Sequence, residues 1–179
     1  MTVWQGLKPQ LQRPRKSLIA DIVLAALVGG PLAAPFLAAA PLPLLPIIAD
    51  IIYFMGDHVC PQPDMGLMLA PPYLMAVCMR CYGTLMGLVA MRWLVGRTRG
   101  KGAYWLHQYG VVGFLATVVL CLAYPFEYAA QGWGWWAYDN GVVTLFGLIS
   151  GLGLGAYIMP LLYTTASDRP ITQSSRVKA

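Results

Sequence analysis

Four long apolar stretches constrain the fold of this chain more than any other feature. They lie at about residues 18–40, 74–95, 104–124 and 142–162. A helix needs roughly 20 apolar residues to cross about 30 Å of hydrocarbon, so each stretch is long enough to span a bilayer. Only 11% of the residues are charged, whereas soluble domains carry roughly a quarter. The sequence therefore predicts an all-α integral membrane protein with four transmembrane helices.

A shorter apolar segment at 46–56 follows the first stretch and is too short to cross a bilayer. Asp50, Tyr53 and Asp57 share one helical face of this segment, which is typical of a short interfacial helix lying at the membrane surface. The segment 57–78 then forms a loop that contains cysteines. A basic N-terminal segment, 1–17, and a polar tail, 163–179, flank this membrane domain of residues 18–162.

The basic residues predict which way the chain crosses the membrane. All but Arg80 fall before the first span, between the second and third, or after the fourth. Four spans put these three groups on one side, which the positive-inside rule makes cytoplasmic. Both termini are therefore expected in the cytoplasm, and the net charge of +5 needs no nucleic-acid partner. The groups are Lys8, Arg13, Arg15 and Lys16; Arg92, Arg97, Arg99 and Lys101; and Arg169, Arg176 and Lys178.

Two of the predicted spans carry glycines at intervals of four residues. Gly83 and Gly87 lie on the second, and Gly147, Gly151 and Gly155 lie on the fourth. Such small-residue faces let helix backbones approach closely in lipid. The pattern predicts either that the second and fourth helices pack together or that these faces bind other membrane-protein subunits.

The cysteines supply the one chemical motif, and they are expected near the non-cytoplasmic face. His58 and Cys60 are followed after seventeen residues by Cys78 and Cys81. These four side chains offer the number of nitrogen and sulfur ligands that a closed tetrahedral zinc site requires. An iron–sulfur cluster uses similar ligands and is the less favoured alternative.

Two other interpretations of the cysteines stay open at the level of sequence. The outer face of a bacterial membrane is oxidising, so the even cysteine count also fits structural disulfides, which would account for Cys121 as well. Alternatively, Cys78 and Cys81 at a helix start form a pair suited to thiol–disulfide exchange, with Arg80 between them lowering a thiol pKa.

The residues around the cysteines resemble a family of small bacterial membrane proteins of unknown function. That family carries Cys-His-Gln, then a loop, then Cys-x-Arg-Cys-x-Gly at a helix start. Here the halves stand as Cys60-Pro61-Gln62 and Cys78-Met79-Arg80-Cys81-Tyr82-Gly83, with Pro61 in place of the family's histidine. The resemblance covers most of residues 18–162. It implies that Cys60, Cys78 and Cys81 form one site, in which His58 would take the place of the family's histidine as a ligand. It implies no established activity.

These observations favour a small accessory or assembly subunit of a larger membrane complex, with a structural or metal-binding site on the non-cytoplasmic face. The chain shows no complete catalytic constellation, so an enzyme is not favoured. A membrane thiol–disulfide oxidoreductase using Cys78 and Cys81, or an oligomeric channel or carrier, are the alternatives. The expected surroundings are the lipid of a bacterial inner membrane, or of a thylakoid membrane in a cyanobacterium, with the cysteines facing the periplasm or lumen.

Overall fold

A computed structural model describes residues 15–98 and 102–163 as a mostly helical protein. Short 3₁₀ turns at Pro63–Met65 and Leu106–Tyr109 join the longer elements. The basic stretch 1–14 and the tail 164–179 lie outside the described residues. The helices and strands are α1 (Arg15–Ala38), α2 (Leu44–Val59), β1 (Met68–Ala70), β2 (Tyr73–Leu74), α3 (Met79–Thr98), α4 (Val111–Cys121), α5 (Ala123–Gly132) and α6 (Asn140–Tyr163).

Three helical stretches in the described part of the chain are long and apolar enough to cross a membrane. They are Ser17–Ala38, Val111–Gly132 and Asn140–Tyr163. The middle one, made of α4 and α5, begins later than the expected 104–124 because the chain turns at Leu106–Tyr109 and at Gly110, whose φ is +58°. The helix α3 carries three arginines and is not among the three stretches. The fourth span therefore stays a prediction.

Glycines let α3 and α6 pack with their backbones in contact. A Cβ atom added at Gly147 would overlap the carbonyl oxygen of Arg80, and one added at Gly151 would overlap that of Thr84. The glycines of α3 are equally closed in by the backbone of α6. Of the two sequence predictions, packing between these helices is the one observed. The expectation that these faces bind a partner subunit stays a prediction.

The first helix offers a backbone carbonyl to the loop before α3. Pro35 has no N–H to bond the carbonyl of Pro31, so that carbonyl is free to accept another donor. The backbone N–H of Ala76 lies 3.5 Å from it. On the other side of the loop, Gly56 of α2 lies so close to the carbonyl of Ala76 that a Cβ atom would not fit. The loop is thus held between α1 and α2.

An ion pair joins α1 to the C-terminal half of α3. The guanidinium of Arg92 donates to both carboxylate oxygens of Asp21, over 2.6 and 2.9 Å. Tyr163 at the end of α6 donates its hydroxyl to the same carboxylate over 2.9 Å. Three helices are therefore bound together through one acidic side chain.

The region between α1 and α3 is more structured than the sequence suggested. The helix α2 runs from Leu44 to Val59 rather than over 46–56, and it exposes Ile47, Ile51 and Phe54. An antiparallel hairpin, β1 and β2, stands inside the expected loop 57–78. The helix α3 consequently begins at Met79, five residues later than the expected start at 74.

We predict that Gly151→Ala lowers the free energy of unfolding by about 1–3 kcal/mol, the usual cost of overpacking a filled contact. The matched control is Gly29→Ala in α1, where a Cβ atom would meet nothing within 4 Å. Thermal unfolding of both purified variants in detergent measures the difference. Equal stability of the two variants would contradict the close approach of α3 and α6.

Candidate functional site

Three of the four cysteines converge at the junction of α2 and α3. Cys60 caps the C-terminus of α2, with its N–H bonded to the carbonyl of Gly56 over 2.8 Å. Cys78 precedes α3 by one residue, and Cys81 lies in the first turn of that helix. Their three Sγ atoms all lie within 4.8 Å of one another, and Cys60 and Cys81 are 3.6 Å apart. All three thiols are free.

The cluster is shielded from solvent by apolar side chains. Cys60 is 4% exposed and Cys78 is fully buried. Met75 and Val77 belong to the same buried group, and Tyr82 packs against it. Two of the three free thiols are therefore buried among apolar side chains, and Cys81 is partly exposed.

Within the cluster, the sulfur of Cys60 accepts hydrogen bonds. The backbone N–H of Cys78 donates to its sulfur over 3.2 Å. The pKa of the Cys60 thiol is far below its ordinary value, first because the Cys78 side chain hydrogen-bonds to it and then because Cys81 does so. The pKa of Cys78 is raised, chiefly by the same bond to Cys60. Hydrogen bonds within the cluster therefore favour a thiolate, the form that binds metals.

The spacing of the sulfurs fits a bound metal ion. The centre of an equilateral triangle lies at its side length divided by √3 from each corner. For sides between 3.6 and 4.8 Å, that distance is about 2.1 to 2.8 Å, which brackets the Zn–S bond of about 2.3 Å. The donor set is soft, which suits thiophilic ions.

The two other candidate residues lie outside this group. The ring of His58 is exposed and bonds through Nδ1 to the carbonyl oxygen of Phe54 over 2.7 Å. The described residues therefore bring together three of the four predicted metal ligands, and His58 is not among them. The thiol of Cys121 lies 3.9 Å from the carbonyl oxygen of Ser150 and has no place in the cluster.

The side chain of Arg80 forms a buried polar network beside the thiols. It is fully buried, and its Nε donates to the carboxylate of Glu127, which is also fully buried. Its Nη1 donates to Gln62 over 3.0 Å and its Nη2 to Gln131 over 2.8 Å. Trp136 completes the network by donating to the second carboxylate oxygen of Glu127 over 3.4 Å.

Two contacts join this network to the cysteines. Gln62 lies two residues after Cys60, so its bond to Arg80 holds the chain that carries the first thiol. The hydroxyl of Tyr124 lies 3.0 Å from the sulfur of Cys81, and the guanidinium carbon of Arg80 stands 5.6 Å from the centre of the Tyr124 ring. The roles of Gln62, Tyr124 and Gln131 were not predicted. Only Gln62 carried a sequence signal, since it belongs to the Cys60-Pro61-Gln62 motif.

We predict that Arg80→Met lowers the free energy of unfolding by about 3–5 kcal/mol, because it leaves a buried carboxylate without its partner. Arg80→Met combined with Glu127→Leu removes both charges and should cost less than Arg80→Met alone. Chemical unfolding of Arg80→Met, Glu127→Leu and the double variant in detergent gives the three values. A double variant that loses the sum of the two single losses would show that the pair is not coupled.

Comparison with known proteins matches part of the chain to a family. A model of the family described as "Predicted membrane protein (DUF2085)" matches residues 62–157, which is more than half of the chain. The matched range begins at Gln62 and includes Cys78, Arg80, Cys81 and Glu127. No curated protein and no solved structure matches the chain.

Proposed function

We propose that this chain, which belongs to the family described as "Predicted membrane protein (DUF2085)", is a four-span membrane protein with a structural metal centre. Cys60, Cys78 and Cys81 bind one thiophilic metal ion, which fastens the end of α2 to the start of α3. The observation that carries this proposal is the convergence of three free sulfurs within 4.8 Å of one another. The sequence favoured zinc as the ion.

The helix α3 is the fourth span in this proposal, despite its arginines. An unpaired charge inside a bilayer costs several kcal/mol, so spanning helices pair their charges with one another. Arg80 is paired with Glu127, and Arg92 is paired with Asp21. Arg97 lies at the last turn of the helix, where a long side chain reaches the interface. The glycine contact with α6 supports the same placement.

Reporter fusions test the four spans, because three spans would give the opposite result. We predict that alkaline phosphatase fused after Gly134, in the loop between α5 and α6, is active, and that green fluorescent protein fused after Ala179 is fluorescent. Both follow from cytoplasmic termini and an outer α5–α6 loop. If α3 does not cross, the loop moves to the cytoplasm and the C-terminus moves outside, so both reporters are silent.

The burial of the thiols supports a structural role over a catalytic one. A catalytic metal keeps an open position that substrate can reach, whereas Cys78 is fully buried and Cys60 nearly so. A small membrane protein whose helices α2 and α3 are joined by a metal ion suits the role of an accessory or assembly subunit of a larger membrane complex. The mass of the native particle in gentle detergent tests that role, and a monomer without partners would count against it.

The metal content of the purified protein tests the centre itself. We predict one equivalent of metal by elemental analysis, lost in Cys60→Ser because two sulfurs bind far more weakly than three. Cys121→Ser is the matched control, since that thiol lies outside the cluster, and it should retain the full equivalent. Loss of metal from both variants, or its absence from the wild-type chain, would contradict the proposal.

A thiol–disulfide oxidoreductase is the second candidate, favoured by the 3.6 Å separation of the Cys60 and Cys81 sulfurs. In that reaction, both thiols lose their hydrogens to a client disulfide. A new S–S bond forms in this chain while the client is reduced to a dithiol. This candidate predicts a metal-free protein whose mass falls by two hydrogens on incubation with an oxidised client. The metal centre predicts no such change.

A further inference from the structure

We propose that the ion selected by the thiol centre is Cu(I) rather than zinc, held by the three cysteines, with Met75 in the same buried group. This inference rests on the metal centre proposed above and names its ion. Three features of the site point to it: the number of donors, their softness and the nature of the surrounding side chains.

The number of donors is one short of what zinc requires. Structural zinc sites are almost always tetrahedral, with four protein ligands. In the described part of the chain, the group of potential ligands holds only Cys60, Cys78 and Cys81. The imidazole of His58, the expected fourth ligand, is not part of this group. Zinc bound here would have to complete its shell from outside the chain, whereas Cu(I), a soft d¹⁰ ion, is satisfied by few sulfur donors.

Met75 adds a soft sulfur side chain to the same cluster. It is 1% exposed and belongs to one buried group with Cys60 and Cys78. Its backbone fixes it there, since its N–H donates to the carbonyl of Leu67 over 2.8 Å. Thiolate and thioether donors together select Cu(I). A hard oxygen ligand, which zinc would accept, is not among the ligand group of the described residues.

The side chains of the buried group that holds the sulfurs are apolar as well. Val77 lies within the buried group, and Leu69, Met79 and Tyr82 pack against it. A water molecule that completed a zinc shell would need two or more polar partners in this space. The Tyr124 hydroxyl beside Cys81 supplies one. The geometry therefore suits an ion that needs no water ligand.

A partition experiment tests the choice of ion. The reduced full-length chain in detergent is mixed anaerobically with an equal amount of a Cys₂His₂ zinc-finger peptide, which offers four ligands to zinc. One equivalent each of Cu(I) and Zn(II) is added, the two proteins are separated, and their metals are measured. We expect Cu(I) on the membrane protein and zinc on the peptide.

Two outcomes overturn the inference, and they are distinguishable. If the chain takes zinc and leaves Cu(I) to the peptide, the choice of ion is wrong and the metal centre stands. If the chain takes neither ion, both proposals fail. Retention of Cu(I) by wild type and its loss in Cys78→Ser support both.

The role of Met75 is tested with a matched methionine. We expect Met75→Leu to weaken Cu(I) binding by about tenfold, the lower end of the usual effect of a residue beside a metal site, and to leave zinc binding unchanged. Met86→Leu is the control, because Met86 is 48% exposed on α3. The affinities are measured by competition with bicinchoninate for Cu(I) and with a chromogenic chelator for zinc. If Met75→Leu lowers the affinities for Cu(I) and for zinc equally, the proposed role of the thioether is wrong.

Discussion

The buried side chain of Arg80 is the interaction on which the arrangement of this end of the molecule depends. A guanidinium removed from water is tolerated only when its donors and its charge are satisfied. Glu127 on α5 neutralises the charge, while Gln131 on α5 and Gln62 in the loop after α2 accept its other hydrogen bonds. One side chain of α3 thereby fixes two other parts of the chain. Because Gln62 follows Cys60 by two residues, the same bonds bring the first thiol to the other two.

As the proposed fourth span, α3 combines features that conflict in a membrane. It carries charges that lipid disfavours, and it is surrounded by helices composed mainly of apolar residues. Two structural features compensate for the charges of this helix. Each inner arginine is paired with a carboxylate from another helix, Asp21 on α1 or Glu127 on α5. Glycines on α3 and α6 then let the two backbones touch, which packs the helix against its neighbour without large side chains between them.

Apolar length was sufficient to predict the helical membrane class, and the glycine spacing gave the packing of α3 on α6 as one of two alternatives. Asp139 caps the start of α6, because its carboxylate oxygen Oδ1 accepts hydrogen bonds from the backbone N–H groups of Gly141 and Val142. The grouping of Cys60, Cys78 and Cys81 came from the resemblance of the cysteine motifs. The sequence could not predict the position of the His58 ring. A side chain near the end of a helix can hydrogen-bond to a backbone carbonyl one turn earlier, as this ring does with Phe54. Two of the partners of Arg80, Gln62 and Gln131, were also beyond the sequence. Gln131 lies 51 residues away, and such distant contacts leave no periodic signal.

The central claim is that three sulfurs of this chain share one metal ion. X-ray absorption spectroscopy at the metal edge of the isolated protein tests it most directly, because the method identifies the ion and counts its nearest neighbours. The account predicts about three sulfur neighbours at a bond length near 2.3 Å and no imidazole scattering, since His58 lies outside the group of ligand residues. A shell dominated by nitrogen or oxygen, or scattering from a bound histidine, would contradict it.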